Sequence, residues 1–322
     1  MKHAALLAVL ALSTAPAIAR VPSRASLDDR KPFLLAVLNR DGHAMPFASF
    51  DGRRWKAPWP DNRQVEMPIS IDNVDKDWWG IGKRPERMAL WFEGAKVADV
   101  AVTALAMVKA LCSTRLGLKT DYKSPQLAPP RTKAPYPKDG LLVAGDVPVE
   151  RIEIVEPASA EWNRVLILIT DKFNKGENVA ANAFTDWKHP FDERRRKAVP
   201  ITMEALYRAP NPKAGWTTYF VEAVRQYPAR REDQGCGVAT VGSGWVHVGP
   251  KDKAEFEFGA RVTYCDRKGV GVMLPLGLIR SGDRNYWVAQ FSGFEYEIYR
   301  VIDPDTDRAR VLASFHAGSC PE

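Results

Sequence analysis

The sequence predicts a mainly β protein of two domains, and three observations lead to this prediction. Asp-Gly pairs at 41–42 and 51–52 lie between apolar segments, which is a strong signal for β-hairpins. A proline-rich segment at 124–137 divides the chain. Short apolar segments separated by turn residues recur after residue 200, as in antiparallel barrels and sandwiches. We therefore expect an N-terminal antiparallel β-meander domain and a larger C-terminal antiparallel β-barrel or sandwich, with one short helix between them.

The start of the chain has the order of a secretory signal peptide. Lys2 precedes a nine-residue apolar run at 4–12, and small residues follow up to Ala19. The apolar run is too short to span a bilayer, which needs about 20 residues. We expect a signal peptide over 1–19, cleavage after Ala19, and a soluble protein, secreted or periplasmic, without a transmembrane segment.

The second Asp-Gly turn predicts where the first large aromatics lie. A two-residue turn at 51–52 pairs Phe50 with Arg53 and Ala48 with Trp55. Phe50 and Trp55 then share one face of the hairpin, and we expect that face to be core. For 104–112 the pattern fits a helix or a strand, and we favour a strand. The other strands expected in the N-terminal domain, 20–123, are 32–39, 43–50, 87–92 and 95–103.

The middle of the chain is predicted to be a connector. Five prolines lie in 124–137, and proline fixes φ and donates no backbone hydrogen bond. We place the connector at 124–148 and the C-terminal domain at 149–322. A helix is expected at 171–184, with a single helix from about 160 to 175 as the alternative. The strands expected in the C-terminal domain are 151–157, 164–170, 201–209, 216–227, 236–248, 255–265, 269–277, 285–292, 295–302 and 309–316.

The four cysteines favour disulfides, because an even number in an exported chain is typical of paired thiols. Three connectivities are possible. If 249–254 is a turn between two strands, Cys265 falls opposite residue 238, one diagonal step from Cys236. This register favours Cys236–Cys265 together with Cys112–Cys320.

Tryptophans provide the candidate binding residues. Five of the ten tryptophans lie between residues 55 and 91. Trp55 and Trp91 belong to predicted strands and are expected in the core. Trp59, Trp78 and Trp79 lie in predicted loops, where an exposed ring can stack on a ligand or enter a pocket of a partner. We therefore predict these three as ligand-binding residues.

Catalytic signals are weaker than the aromatic signal. His189 and Asp192 are close enough in sequence for acid–base chemistry if they line a cleft. Alternate glutamates on a strand place two carboxylates on one face, as glycoside hydrolysis requires, although they more often mark a solvent-facing side. The leading hypothesis is a non-catalytic binding or interaction protein, and the alternative is a hydrolase of an envelope or extracellular polymer. The glutamate pairs are Glu255 with Glu257 and Glu295 with Glu297.

Charge and composition limit the kinds of partner that we expect. The net charge of +7 is spread along the chain, and its densest basic run, 193–197, also contains an acidic residue. Such a run is typical of a solvated surface, so we expect no nucleic-acid partner. Cysteine and histidine spacings match no zinc motif, and we predict no metal and no cofactor. The expected partner is a ligand or protein of unknown identity, and the oligomeric state is not predicted.

Overall fold

A computed structural model describes residues 31–60, 70–126, 135–183, 189–228, 235–304 and 308–320. The predicted signal peptide at 1–19 lies outside these residues. The fold is mainly β, with 53% of residues in strands and 15% in helices, and it contains three antiparallel sheets. The predicted fold class is confirmed.

The N-terminal region forms a closed barrel of six strands. The strand order is β1-β7-β4-β5-β6-β2, and β1 closes the barrel by pairing with both β7 and β2. A seventh strand, β3, extends the sheet beside β2. The segment 104–112 is largely strand, as favoured, because β5 continues to residue 110. The strands are β1 (Phe33–Leu38), β2 (His43–Phe50), β3 (Trp55–Lys56), β4 (Arg87–Phe92), β5 (Ala95–Ala110), β6 (Ser113–Thr120) and β7 (Gly140–Ala144).

In the hairpin after β2, Phe50 and Trp55 share one face as predicted, but the predicted pairing of residues across the hairpin is wrong. Phe50 lies directly opposite Trp55 rather than Arg53, and their ring centroids are 5.3 Å apart. Asp51 causes the difference, because its side chain accepts hydrogen bonds from the backbone N–H groups of Arg53 and Arg54 and so widens the turn. Trp55 is half-buried and packs against the barrel core.

A five-stranded sheet and a long helix form the outer part of the C-terminal region. The sheet order is β12-β11-β10-β9-β8, and α2 packs against β11 and β12. The helix begins after Ser159, whose hydroxyl accepts a hydrogen bond from the N–H of Trp162. The elements are β8 (Glu153–Ile154), α2 (Ala160–Asn182), α3 (Glu193–Ala198), β9 (Thr202–Pro210), β10 (Thr217–Pro228), β11 (Cys236–Val248) and β12 (Ala254–Tyr264); the short α1 (Lys76–Trp79) lies in the barrel region.

The strand predicted at 164–170 is wrong, since these residues belong to α2. The buried side chains Val165, Ile169 and Phe173 recur every four residues and face the sheet, which is the spacing of a helix. The alternative of one helix from about 160 is closer to the structure. No helix of the described residues is long and apolar enough to cross a membrane.

The four-stranded sheet is the central layer of the molecule. Along β14, Tyr286 and Val288 join the core of the barrel, whereas Trp287 and Ala289 join the core shared with the five-stranded sheet. Because alternate residues of a strand point to opposite faces, the sheet is covered on both sides. Its order is β13-β14-β15-β16, formed by β13 (Val272–Ser281), β14 (Arg284–Ser292), β15 (Tyr296–Asp303) and β16 (Arg310–Ser319).

Both predicted disulfides are confirmed. Cys236–Cys265 joins the ends of β11 and β12, one diagonal step apart in the register. Cys112–Cys320 joins the turn between β5 and β6 to the end of β16, across 208 residues of sequence. Two disulfides are compatible with an extracellular location.

The boundary between the two predicted domains contains part of the barrel. β7 lies inside the predicted connector 124–148 and pairs with β1 and β4. The barrel core also contains residues of the four-stranded sheet, among them Tyr299 and Phe315. The division at 124–148 stays a prediction, and the two parts share a continuous apolar contact.

Candidate functional site

The three predicted ligand-binding tryptophans lie together beside the barrel. Trp59 is 3% exposed and Trp79 is 1% exposed. The ring centroid of Trp59 lies 5.3 Å from that of Trp79 and 6.2 Å from that of Trp78. The Trp59 Nε1–H donates a hydrogen bond to the Leu116 carbonyl at 2.9 Å. Trp59 and Trp79 are therefore part of the barrel core.

The expectation that loop residues leave these rings exposed is wrong for Trp59 and Trp79. At Gly80, directly after α1, a Cβ atom would lie 2.1 Å from Ser49 Oγ, so the loop packs tightly on β2. Only Trp78 is half-buried and presents part of its ring to solvent. Its role as a ligand contact stays a prediction.

A cleft opens between the barrel and the C-terminal sheets, and its volume is about 240 Å³. Its walls are formed by the turn between β4 and β5, by the residues that precede β7, and by the strands β8, β9 and β13. Gly94 brings the turn close to the residues just before β8: its φ is +80°, and a Cβ there would lie 2.7 Å from Arg151 N. We call this space the cleft; its lining residues are Arg40, Phe92, Glu93, Gly94, Gln126, Pro137, Lys138, Gly140, Arg151, Ile152, Ile154, Tyr207, Leu274, Pro275, Leu276 and Gly277.

The lining of the cleft combines exposed apolar side chains with cations. Ile154 is 59% exposed and Phe92 is 41% exposed, although both are large and apolar. Arg40, Lys138 and Arg151 also line the cleft. Among the described residues that line the cleft, Glu93 is the one carboxylate, and it lies 3.7 Å from Arg151.

Lys138 is held in a buried polar cluster behind the cleft. Its ammonium group donates to Glu297 Oε1 at 2.8 Å, and the Tyr299 hydroxyl donates to the same oxygen at 2.6 Å. Gln290 Nε2 donates to the other oxygen at 3.2 Å. Burial and the Glu297 carboxylate raise the pKa of Tyr299 well above its ordinary value. A buried ion pair needs such extra hydrogen bonds, and removing one partner leaves an expensive uncompensated charge.

A second pocket of about 240 Å³ lies on the other side of Lys138. Arg40, Pro137 and Lys138 line both the cleft and this pocket. Asp139 is buried beside them, and neither of its carboxylate oxygens accepts a hydrogen bond from the described residues. Arg40 Nε lies 3.9 Å from Asp139 Oδ1. The carboxylates that balance Arg40 and Lys138 are therefore not themselves lining residues of the cleft.

The residues proposed for hydrolysis are not gathered in one place. Glu255 and Glu257 are exposed on β12, whereas Glu297 is occupied by the hydrogen bonds of the Lys138 cluster. His189 Nδ1 contacts the backbone of Phe191, and burial followed by the charge of Arg196 lowers the pKa of the imidazole. Asp192 caps α3 through the N–H of Arg195. The hydrolase hypothesis stays a prediction. The described residues contain no group of three His, Cys, Asp or Glu side chains placed to hold a metal ion.

Sequence reasoning missed the cleft because its lining comes from distant segments. Ile154 and Phe92 lie on separate elements, and only the fold brings them together. Lys138 lies in the predicted connector 124–148, where the prolines predict an extended segment and give no sign of a buried ion pair. Comparisons of this chain with models of protein families, with curated proteins and with solved structures find no match.

Proposed function

We propose that this is an exported, non-catalytic binding protein that holds a small amphipathic acid in the cleft. The single observation that carries this proposal is the joint presence of exposed apolar side chains and three cations around one concave space. Apolar pockets with a few polar groups are the usual form of small-molecule sites.

The apolar part of the ligand would lie against Ile154, Phe92 and Leu276. Contact with a ligand would remove from water the apolar surface that these side chains leave exposed, which gives about 25 cal/mol for each Å². In a monomer, large apolar side chains that cluster on the surface often mark a binding site.

The acidic head group would lie near Arg151, Lys138 and Arg40. Asp139 and Glu297, which balance Arg40 and Lys138, are not lining residues, and Glu93, which lines the cleft, lies 3.7 Å from Arg151. Within the described part of the chain, Lys138 donates one hydrogen bond to a carboxylate, and an ammonium group has three donors. Hydrogen bonds between an ammonium or guanidinium group and an anionic head group are stronger than neutral ones.

Export supports the choice of a binding role outside the cell. The first nineteen residues have the order of a signal peptide, and the two disulfides suit an oxidising compartment. Sequencing the N-terminus of the secreted protein tests this part, and we expect it to begin at Arg20.

Fluorescent probes test the binding proposal directly. The anionic probe 8-anilinonaphthalene-1-sulfonate should bind at one site, and the uncharged N-phenyl-1-naphthylamine should bind more weakly. Ile154→Ser should weaken both probes by about five-fold, as expected for lost apolar contact. Arg151→Gln should weaken only the anionic probe, by about three-fold, because the lost charge is exposed.

Two matched variants serve as controls. Ile167 on α2 is 75% exposed and lies outside the cleft, so Ile167→Ser should leave both affinities unchanged. Arg194 on α3 is exposed and also lies outside it, so Arg194→Gln should not affect the anionic probe. The proposal is wrong if neither probe binds, or if cleft and control variants weaken binding equally.

A further inference from the structure

Strand β13 forms one side of the cleft and lies at the edge of its sheet. Hydrogen bonds hold it to neighbouring elements at two points, which we call fastenings. Its residue Met273 uses both backbone polar groups toward the neighbouring five-stranded sheet. The N–H donates to Glu222 Oε1 at 2.6 Å, and the carbonyl accepts from the Tyr207 hydroxyl at 3.1 Å. Edge strands leave such groups without a strand partner, and buried backbone groups need one. The side chains of Glu222 and Tyr207 therefore supply, at Met273, the hydrogen bonds that a neighbouring strand would otherwise supply.

A second fastening lies five residues farther along β13. Leu278 and Glu150 exchange two backbone hydrogen bonds, of 2.8 and 2.9 Å. Leu274–Gly277, which line the cleft, lie between the two fastenings, and the β13–β14 register shifts between Pro275 and Gly277. One side of this bulged segment pairs with β14, and on its other side the two fastenings lie at its ends, so both contribute to its position.

Glu222 differs from the backbone bridge because it can gain a proton. Its side chain is buried on the β10 face that meets β13. Burial raises the pKa of Glu222 to about 7; the Met273 N–H and Arg267 lower it, and Glu204 raises it.

The charged and titratable groups that face Glu222 come from two elements. Glu204 and Tyr207 lie on β9, and Arg267 lies in the turn after β12. Arg267 donates to both carboxylate oxygens of Glu204, at 2.6 and 2.7 Å. Its charge is therefore shared with another carboxylate, and Glu222 accepts its hydrogen bond from the Met273 N–H.

We propose that Glu222 makes the cleft responsive to pH: the ionised carboxylate holds Met273 and keeps Leu274–Gly277 in place, and protonation weakens that hold. This inference rests on the proposed function, because it describes control of the same cleft. A carboxylate accepts a stronger hydrogen bond from an N–H than a neutral acid does. Ligand affinity should therefore fall as the pH falls through neutrality.

The first test needs no ligand. Hydrogen–deuterium exchange of the peptide that covers Leu274–Gly277 is followed at about pH 8 and about pH 5.5, corrected for the intrinsic pH dependence of amide exchange. Protection should fall by about five-fold at the lower pH in the native protein. Glu222→Gln should give the low-pH protection at both values, because the amide oxygen is a neutral acceptor. Equal corrected protection at both pH values in the native protein would refute the inference.

The second test measures binding of 8-anilinonaphthalene-1-sulfonate, whose sulfonate stays ionised at both pH values. Affinity of the native protein should fall by about five-fold from about pH 8 to about pH 5.5, and Glu222→Gln should remove this change. Tyr207→Phe serves as the control: it loses the other hydrogen bond, weakens binding at both pH values and keeps their ratio.

The outcomes separate the two proposals. Absence of probe binding, with pH-dependent exchange intact, overturns the proposed function and leaves the fastening supported. The pH-dependent role of Glu222 is overturned if the probe binds at the cleft with the same affinity at both pH values, or if the pH dependence persists in Glu222→Gln. Either result leaves the proposed binding function in place.

Discussion

Large apolar side chains lie in opposite environments in two regions of the molecule. One region is the tryptophan cluster, formed by Trp59, Trp78 and Trp79, and the other is the cleft. Trp59 comes from a loop and Trp79 from the short helix α1, and both are almost fully buried, whereas Ile154 comes from a strand and is 59% exposed. Residues outside the sheets here cover the barrel, and strand residues at a sheet edge face an open space. The comparison teaches that position relative to the three sheets decides exposure more than residue type or local structure does.

The two regions also differ in the surroundings of their polar groups. The Trp59 indole N–H has a backbone acceptor in the core, as a buried donor requires. The cleft places Arg151, whose side chain is half exposed, beside apolar side chains. The cluster is therefore expected to contribute stability, and the cleft is expected to contribute binding.

Trp79→Ala should have the largest effect on stability. Removal of a fully buried aromatic side chain costs about 3–5 kcal/mol, because the cavity cannot collapse completely. Unfolding in denaturant, followed by circular dichroism, measures the loss. Trp78→Ala is the matched control and should cost less than half as much, since its ring is half-buried. Equal losses at the two positions would break the contrast between a core ring and a surface ring.

Loss of the Cys112–Cys320 disulfide should have the next largest effect. This bond joins the barrel to the four-stranded sheet, and its removal should cost about 2–4 kcal/mol by freeing the unfolded chain. The double variant Cys112→Ser/Cys320→Ser is compared with the native protein in denaturant. The cleft borders both parts, so probe affinity of the folded variant reports whether the bond also sets the cleft. A variant as stable as the native protein would show that apolar packing alone holds the parts together.

Glu222→Gln should stabilise the protein at alkaline pH. The pKa of Glu222 rises from 4.5 to about 7 on folding, so the folded state binds more protons than the unfolded state between these values. The free energy of unfolding of the native protein therefore falls as the pH rises from about 4.5 to about 7. At about pH 8 the variant should be more stable by about 1–3 kcal/mol, because it has no buried charge. Denaturant unfolding at both ends of this range measures the difference, and a variant less stable at pH 8 would contradict the sign.

Ile154→Ser should have the smallest effect on stability. Exposed side chains away from special features change stability by about 0.5 kcal/mol or less. Thermal unfolding should give nearly the same midpoint as for the native protein and for Ile167→Ser. A large destabilisation would mean that Ile154 belongs to the core, and its effect on probe binding would then reflect folding.

Local signals in the sequence predicted much of the fold. Asp-Gly turns located the hairpins around β2, and Cys236 and Cys265 paired because a simple strand register placed them together. The apolar run 164–170 misled the prediction, since a short run of buried residues has no period that separates strand from helix.

The candidate site was not predictable in the same way. The Lys138–Glu297 pair joins residues 159 positions apart, and the Met273 fastening depends on how two sheets pack. A local pattern holds no information on such distances. The three loop tryptophans were identified as notable, but whether a loop faces solvent or a barrel is decided by tertiary packing.

The most direct test of the account is a map of where a ligand binds. Backbone amide signals of the isotope-labelled protein are followed by NMR while 8-anilinonaphthalene-1-sulfonate is added. The account predicts shifts concentrated at Phe92–Gly94, Arg151–Ile154 and Leu274–Gly277, with the indole signals of Trp59 and Trp79 unmoved. Shifts centred on Trp78 or on α3, with these three segments unchanged, would contradict it.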